Sequence, residues 1–145
     1  MATHVFNEAK RAILAGEIDL NAHDIRIALL MTNTTADTEN DGIVNVDDFT
    51  TLDEFDGANY VRKALTTEAV NKDDANDRAE FDADDVTWTA LGAGTRSIAG
   101  ILVFKFVTAD TDNVPIAWLE FSSVKTPDGS DFTVQWNAEG ILQAA

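Results

Sequence analysis

One run of apolar residues constrains the fold of this chain more than any other feature of its sequence. Residues 98–107 read IAGILVFKFV, so apolar side chains would occupy both faces if the run were a strand. Successive side chains of a strand point to opposite faces, and a strand that is apolar on both faces is buried on both. The run therefore predicts a central strand with structure packed on either side of it.

Shorter segments with the periodicity of strands surround this run. Residues 132–137 are an example, since Phe132, Val134 and Trp136 alternate with polar residues. Such alternation is typical of strands that have one face in contact with water. We expect the last three predicted strands to form a meander, because only short turn-forming segments separate them. The predicted strands cover residues 24–31, 60–70, 78–81, 86–91, 97–108, 115–121 and 132–137.

The N-terminal segment has a different periodicity. Residues 5–14 repeat apolar side chains at the spacing of an α-helix, which predicts one short helix at about residues 4–15. Thr3 is a suitable N-cap for this helix, and Gly16 follows its last turn. The apolar side chains expected near its buried face are Val5, Phe6, Ala9, Ile13 and Leu14.

A long segment without periodicity separates the first predicted strand from the others. Residues 32–50 are rich in threonine, asparagine and aspartate, and they predict a long exposed loop. Many short strands with a single helix are typical of an all-β architecture. We therefore expect residues 1–145 to form one mainly β domain, an antiparallel β-sandwich or barrel with a short N-terminal α-helix and a long loop at about residues 32–50.

The charge balance excludes several kinds of partner. The chain carries 26 acidic and 10 basic residues, which gives a formal net charge of -16 at pH 7. Nucleic acids bind proteins largely through lysine and arginine, so a strongly acidic domain is repelled by them. The same repulsion applies to an anionic membrane surface. We predict neither nucleic acid nor membrane as a partner.

Other classes of site are excluded by residues that the chain lacks. It contains no cysteine, so disulfides and thiolate metal sites are impossible. No stretch approaches the roughly 18 uninterrupted apolar residues of a membrane span, and residues 1–10 lack the apolar core of a signal peptide. We expect a protein that is made and used without Sec-type export.

Residue types capable of catalysis are present, but in no recognisable arrangement. His4 and His23 belong to no triad motif, and both lie near the ends of predicted elements, where we expect them to face solvent. Residues 92–97, GAGTRS, lack the third glycine of a phosphate-binding loop and lead into a strand instead of a helix. The sequence predicts no enzyme, no catalytic residue, no cofactor-binding residue and no cofactor. The three tryptophans lie on predicted strands, which favours core packing.

The sharpest local motif lies within the long loop. Residues 37–48, DTENDGIVNVDD, resemble the calcium-binding loop of EF-hand and dockerin modules. In such a loop oxygen ligands occupy the first, third, fifth, ninth and twelfth positions, and a glycine at the sixth permits a sharp turn. Glutamate at the third position and aspartate at the twelfth depart from that pattern, so we predict no metal and keep calcium as a candidate. The candidate ligands are Asp37, Glu39, Asp41, Asn45 and Asp48.

Ordered blocks of residues extend from one end of the chain almost to the other. They are FNEAK (6–10), GEIDL (16–20), IRIALL (25–30), TLDEFDGANY (51–60), NDRAEFDADDVTW (76–88) and DFTVQWNAEGI (131–141). In these blocks the chain resembles a family of small virion proteins of tailed bacteriophages and prophages. None of the blocks is a catalytic signature, and the calcium-like motif is not one of them.

The resemblance implies a particle component without enzymatic activity, and the role that we favour is a capsid decoration, or cement, protein. Its implied partners are the major capsid protein and copies of the chain itself, with a trimer at local threefold positions. Its implied location is the capsid exterior of the virion, after assembly in the host cytoplasm. We predict that the N-terminal helix or the loop at residues 32–50 supplies the contacts, because the core uses the central strands.

Two other functions stay open. The chain is alternatively a structural protein of the phage tail or neck, which its sequence hardly distinguishes from a head protein. From a different class, it is alternatively a calcium-dependent module that binds carbohydrate or protein through the loop at residues 37–48 and an exposed tryptophan.

Overall fold

The structure is a computed structural model that describes residues 3–145, and antiparallel strands dominate it. Residues 1 and 2, which the predicted domain includes, lie outside the described residues. The one helix of the described residues is α1 (Asn7–Leu14), and a 3-10 turn covers Val46–Asp48. The strands are β1 (His4–Val5), β2 (Ile25–Met31), β3 (Lys63–Ala64), β4 (Ala69–Asp73), β5 (Arg78–Asp82), β6 (Val86–Trp88), β7 (Ile98–Lys105), β8 (Val114–Lys125), β9 (Phe132–Val134) and β10 (Leu142–Ala144).

The core is built on a five-stranded sheet in the order β1-β8-β7-β2-β3. The predicted central strand at residues 98–107 forms β7, which lies in the middle of this sheet. Its side chains are buried on both faces, so the prediction of a doubly covered central strand is confirmed. Two cross-strand rows of buried side chains, one on each face, are Ala28, Leu102 and Trp118, and Ile27, Val103 and Ala117.

Two smaller sheets complete the fold. One has the order β10-β5-β4, and the other joins β6 to β9. Buried side chains of all three sheets belong to one hydrophobic cluster. The predicted meander is wrong in part, because β7 pairs with β8 but β9 pairs with β6. Aromatic contacts accompany this pairing, since the ring of Phe132 lies 6.2 Å from that of Trp88 and 6.3 Å from that of Phe121.

The predicted fold class is confirmed, because the chain is mainly antiparallel strands with one short helix. No sheet within residues 3–145 closes into a barrel, so the barrel alternative is wrong for this part of the chain. The short strands β1 and β10 were not predicted. Each contains only two or three residues, so local periodicity carries no signal for it.

The predicted strand at residues 60–70 is in fact two strands, β3 and β4, which belong to different sheets. Between them the backbone of Thr67 has a φ of 58°, which is uncommon for a β-branched residue. The Thr67 hydroxyl donates a hydrogen bond of 2.6 Å to Asp84, and the Asp84 amide donates to the Thr66 carbonyl oxygen. A contact from a distant part of the sequence therefore accompanies the break, and periodicity does not detect it.

Helix α1 is shorter than predicted and has a different cap. It begins at Asn7 instead of at about residue 4, because His4–Val5 pairs with β8 as strand β1. The predicted cap, Thr3, accepts a hydrogen bond from the Glu120 amide instead. The Asn7 amide donates to the side-chain oxygen of Asn40, at 2.8 Å, so the long loop supplies the partner for the first helical amide.

The predicted loop at residues 32–50 is irregular apart from the 3-10 turn, but it is not exposed throughout. Glu39 closes it by accepting hydrogen bonds from the Thr35 hydroxyl (2.7 Å) and the Thr50 amide (2.9 Å). Several of its side chains lie in the core, which corrects the prediction of a wholly exposed loop. The buried residues are Thr34, Ala36, Ile43, Val46 and Phe49.

His4 is half-buried, contrary to the expectation that it would face solvent. Its ring packs edge-on against Phe6 with centroids 4.8 Å apart, and its Nε2 is buried with no hydrogen-bond partner among residues 3–145. Burial is the main cause that lowers the pKa of His4 from its ordinary value of 6.5. Lys10 lowers this pKa further and Asp37 raises it, so the neutral ring is the form that folding favours.

Acid is expected to destabilise the fold through His4. The imidazole of His4 takes up a proton near pH 6.5 in the unfolded chain, but only at a lower pH in the folded chain. The stability that is present above pH 6.5 is therefore lost as the pH falls through the pKa of the folded state. We expect His4→Phe, which cannot titrate, to lose less stability than the parent between about pH 7.5 and about pH 5.5. Urea unfolding at both pH values measures this, with His23→Phe as the control. Equal losses in the parent and in His4→Phe would contradict it.

Candidate protein-binding groove

An open groove lies between helix α1 and the three-stranded sheet. Its volume is about 440 Å³, and nearly all of its lining is apolar. Residues of α1 and of the segment after it form one wall, and strands β4, β5 and β10 form the floor. We call this surface the apolar groove and define it by Ile13, Leu14, Leu20, Val70, Phe81 and Leu142.

The apolar groove leaves part of the helix without a covering layer. Ala9 and Ala12 are buried against the core, but Leu14 is 89% exposed, although the sequence placed it near the buried face. On the other side Val70 is 44% exposed, beside the buried Phe81. Single exposed apolar residues are ordinary, but a contiguous apolar surface commonly marks a binding site.

Hydrogen bonds and burial hold the two sides of the apolar groove in place. The side-chain oxygen of Asn21 accepts a hydrogen bond of 2.8 Å from the Val70 amide, which links the segment after α1 to strand β4. Ile18 in the same segment is buried, and its amide donates to the carbonyl oxygen of Ala12. The apolar groove is therefore a preformed feature of the fold.

Sequence reasoning did not identify the apolar groove. Its floor comes from three strands, of which β10 was not predicted, and β4 was predicted only in part. Of the five apolar residues predicted near the buried face of the helix, only Ala9, Ile13 and Leu14 lie in α1, so the local pattern gave no signal for the groove.

All five arginines of the chain take part in ion pairs. Three of them, Arg11, Arg62 and Arg78, have more than one acidic partner, so the clusters around them keep a net negative charge. Arg11 lies on α1, and Arg78 lies on β5 on the face opposite that of Ala79 and Phe81. The pairs are Arg11 with Glu8 and Glu17, Arg26 with Asp24, Arg62 with Glu54 and Asp110, Arg78 with Asp73, Glu80 and Glu139, and Arg96 with Asp53.

Arg62 forms a hydrogen-bonded network with two carboxylates and a tyrosine. The guanidinium contacts Glu54 at 2.7 Å and Asp110 at 2.5 Å, and the Tyr60 hydroxyl donates to Glu54 at 2.8 Å. The guanidinium lowers the pKa of Asp110. Every carboxyl group of the described residues whose pKa clearly departs from its usual value is shifted down, chiefly by hydrogen-bond donors. These carboxylates are ionised acceptors, and those of Glu39, Asp56 and Asp110 join segments that are distant in sequence.

The calcium-like motif is not assembled as a metal site. Glu39 bonds to Thr35 and Thr50, and Asp48 accepts hydrogen bonds from the amides of Val44 and Asn45 at 2.9 and 2.8 Å. The Asp37 and Asp41 residues are exposed, and Asn45 is half-buried. No group of three or more histidine, aspartate or glutamate residues that could hold a metal ion occurs in the described part of the chain.

Asp48 is expected to stabilise the loop as a cap. Its carboxylate accepts hydrogen bonds from the amides of Val44 and Asn45, at the start of the 3-10 turn. We expect Asp48→Ala to lower the free energy of unfolding by about 1 kcal/mol, equally in calcium and in a chelator. Chemical unfolding in both solutions measures this, and Asp47→Ala is the control. Calcium stabilisation of the parent that is lost in Asp48→Ala would instead assign the loop to calcium.

A second, more polar pocket lies between β8 and the segment after β9. Its volume is about 370 Å³, and Phe121 and Trp136 are among the residues that line it. Trp136 is half-buried, with its Nε1 bonded to the Asp84 carbonyl oxygen at 2.9 Å. Trp88 and Trp118 are fully buried, so the prediction of core packing is confirmed for these two tryptophans.

Comparisons with known proteins do not indicate a function. The chain matches no known protein family, no characterised protein and no solved structure. Within residues 3–145, no helix has the length and apolar character needed to cross a membrane. The apolar groove is the feature on which an argument about function can rest.

Proposed function

We propose that the chain is a structural subunit of a tailed bacteriophage particle, a decoration or cement protein that binds the outer surface of the head. It stabilises the shell through contacts with the major capsid protein and with copies of itself, and it catalyses no reaction. The residue blocks that resemble virion proteins suggest that the chain belongs to a phage particle. The mainly β fold and the distribution of charge support a structural role in that particle.

The observation that carries the proposal is the apolar groove. Leu14 is 89% exposed and lies beside an apolar cavity, and a contiguous apolar surface of this kind commonly marks a binding site. Helix α1, which the sequence analysis predicted to supply contacts, forms one wall of this groove. Burying such a surface against a shell, and repeating the contact by symmetry, gives stable attachment without any single tight site.

The charges favour the outer face of the shell. Acidic residues outnumber basic ones by 26 to 10, and every arginine already has an acidic partner. Packaged DNA would repel such a domain on the inner face. On the outer face the same charge keeps assembled particles apart.

The carboxylates favour a structural role. Hydrogen bonds from arginines, hydroxyls and amides lower the pKa of several carboxyl groups, which are therefore ionised acceptors within the fold. Groups of this kind hold strands and loops in position.

Purified heads without tails test the proposal. A decoration protein is expected on them in hundreds of copies, and heads without it should release their DNA at a lower temperature. Quantitative mass spectrometry gives the copy number, and a DNA-binding dye reports release during heating. A few copies, or copies confined to tails, would assign the chain to the neck or tail instead. Absence from complete virions would contradict the proposal.

A further inference from the structure

We infer that the Asp41-Gly42 pair is a site of spontaneous modification, at which the folded protein converts Asp41 into isoaspartate. The reaction needs only water, and the inference does not depend on the proposed function. The chain contains three aspartate-glycine pairs, at residues 41–42, 56–57 and 128–129. The fold leaves only the first of them free to react.

An aspartate that precedes a glycine can rearrange, because glycine has no side chain to hinder the approach of its main-chain nitrogen. The nitrogen of Gly42 attacks the side-chain carbon Cγ of Asp41, and the hydroxyl of the uncharged carboxyl group leaves as water with the amide proton. The product is a succinimide ring. Water then adds to the main-chain carbonyl carbon of Asp41 and breaks its bond to the nitrogen, so the main chain now runs through Cγ. Addition of water to Cγ instead restores aspartate.

Both reacting groups of the Asp41-Gly42 pair are accessible. Gly42 is exposed with a φ of 82°, and beyond its chain neighbours no atom lies within 4 Å of the position that a Cβ would occupy. Within residues 3–145 its amide donates no hydrogen bond. The Asp41 carboxylate accepts one bond there, from Asn7 Nδ2 at 3.4 Å, and the Ile43 amide donates to the Asn40 carbonyl oxygen at 3.4 Å. Both bonds are longer than usual, so they restrain the pair weakly.

The Asp128-Gly129 pair has similar space around its glycine, but both of its reacting groups are engaged. The Gly129 amide donates a hydrogen bond of 2.8 Å to the Leu91 carbonyl oxygen. The Asp128 carboxylate accepts bonds from the amide and the hydroxyl of Ser130, at 3.1 and 2.6 Å. These bonds lower the pKa of Asp128, which disfavours the uncharged carboxyl group that loses water.

The Asp56-Gly57 pair is protected by packing. Gly57 is buried, and a Cβ there would overlap the Gly92 carbonyl oxygen and the ring of Phe55, so the backbone has no space in which to rearrange. The Asp56 carboxylate accepts a hydrogen bond of 2.7 Å from the Thr95 amide and another from the Thr95 hydroxyl. Its carboxyl group is therefore engaged as well.

Isoaspartate at position 41 lengthens the main chain by one methylene group between two anchored residues. The side-chain oxygen of Asn40 accepts the hydrogen bond of 2.8 Å from the Asn7 amide at the start of α1, and Ile43 is buried in the core. The added group directly follows Asn40. The modification should therefore loosen the start of α1, beside the loop at residues 32–50.

The test ages the purified full chain at neutral pH and at a temperature below its unfolding transition. Peptide mapping with electron-based fragmentation distinguishes isoaspartate from aspartate at each pair. We expect isoaspartate to accumulate at least about fivefold faster at Asp41 than at Asp56 or Asp128, because the hydrogen bonds of the other two pairs must open before they react.

Two controls separate the fold from the local sequence. In concentrated urea the hydrogen bonds are lost, so the preference for Asp41 should disappear. Asp41→Glu keeps the charge at an exposed position but would need a larger ring, so it should yield no product there. Hydrogen exchange of the Asn7 amide should become faster on ageing in the parent, relative to fresh protein, and should not change in Asp41→Glu.

The possible results lead to different conclusions. Equal accumulation at the three pairs of the folded chain, or no product at Asp41 over a time in which the chain in urea reacts, overturns the inference. A preference for Asp41 that persists in urea assigns it to neighbouring residues and overturns the role of the fold. Isoaspartate at position 41 with unchanged exchange of the Asn7 amide overturns the loosening of α1 and leaves the site standing.

Discussion

Replacing Trp88 with alanine is expected to lower the free energy of unfolding by about 3–5 kcal/mol. The indole is fully buried at the end of β6, with the ring of Tyr60 stacked 6.3 Å away and that of Phe132 at 6.2 Å. Its Nε1 donates a hydrogen bond of 2.7 Å to the Val61 carbonyl oxygen. Alanine would leave a cavity at the place where the two-stranded sheet meets the rest of the core.

Trp136→Ala is the matched control for this prediction. Trp136 also donates from Nε1 to a carbonyl oxygen, that of Asp84, but it is half-buried at the surface. We expect its loss to cost clearly less, because less apolar area leaves contact with the protein. Urea unfolding followed by far-ultraviolet circular dichroism measures both variants. An equal loss of unfolding free energy in the two variants would contradict the prediction for Trp88.

Gly100→Ala is expected to destabilise the protein by about 3 kcal/mol, although it adds only one methyl group. Gly100 lies in the central strand β7, and a Cβ there would overlap the backbone carbonyl oxygen of Leu119. It would also lie 2.7 Å from two ring atoms of Trp118, which is fully buried. Neither neighbour can move freely, since one is backbone of β8 and the other is enclosed by the core.

Gly92→Ala controls for the general effect of replacing a glycine. A Cβ at position 92 would meet the Ala58 methyl group at 3.0 Å, and this loop position is only half-buried. We expect a cost of about 1 kcal/mol or less there. Thermal and urea unfolding compare the two variants. A Gly100→Ala protein as stable as Gly92→Ala would mean that β7 and β8 move apart to accommodate the methyl group, which would contradict this prediction.

Much of the fold was predictable because strand periodicity is local. Residues 98–107 are apolar at both sets of alternate positions, and this pattern alone placed β7 at the centre of the main sheet. Residues 24–31 and 115–121 were likewise predicted as strands, and the structure shows that they form β2 and β8 and pair with β7. The net charge, the lack of cysteine and the class of the fold also follow from the residues alone.

The remainder depends on contacts between distant segments. The start of α1 is set by pairing of His4–Val5 with β8 and by Asn40, neither of which a helical pattern at residues 5–14 reveals. Pairing of β9 with β6 instead of β8 depends on which partner completes the aromatic core, and turn length does not encode that choice.

The sequence by itself determined that this chain is an acidic, mainly β protein with one short helix, because composition and side-chain alternation are properties of neighbouring residues. Only the tertiary structure decided that Leu14 lies at the surface and that Val70, Phe81 and Leu142 form one apolar row. It also decided that the carboxylates of Glu39 and Asp48 accept hydrogen bonds within the loop. The physical reason is that burial and strand register are set by segments that meet in space from far apart in the chain, and a local pattern does not contain that information.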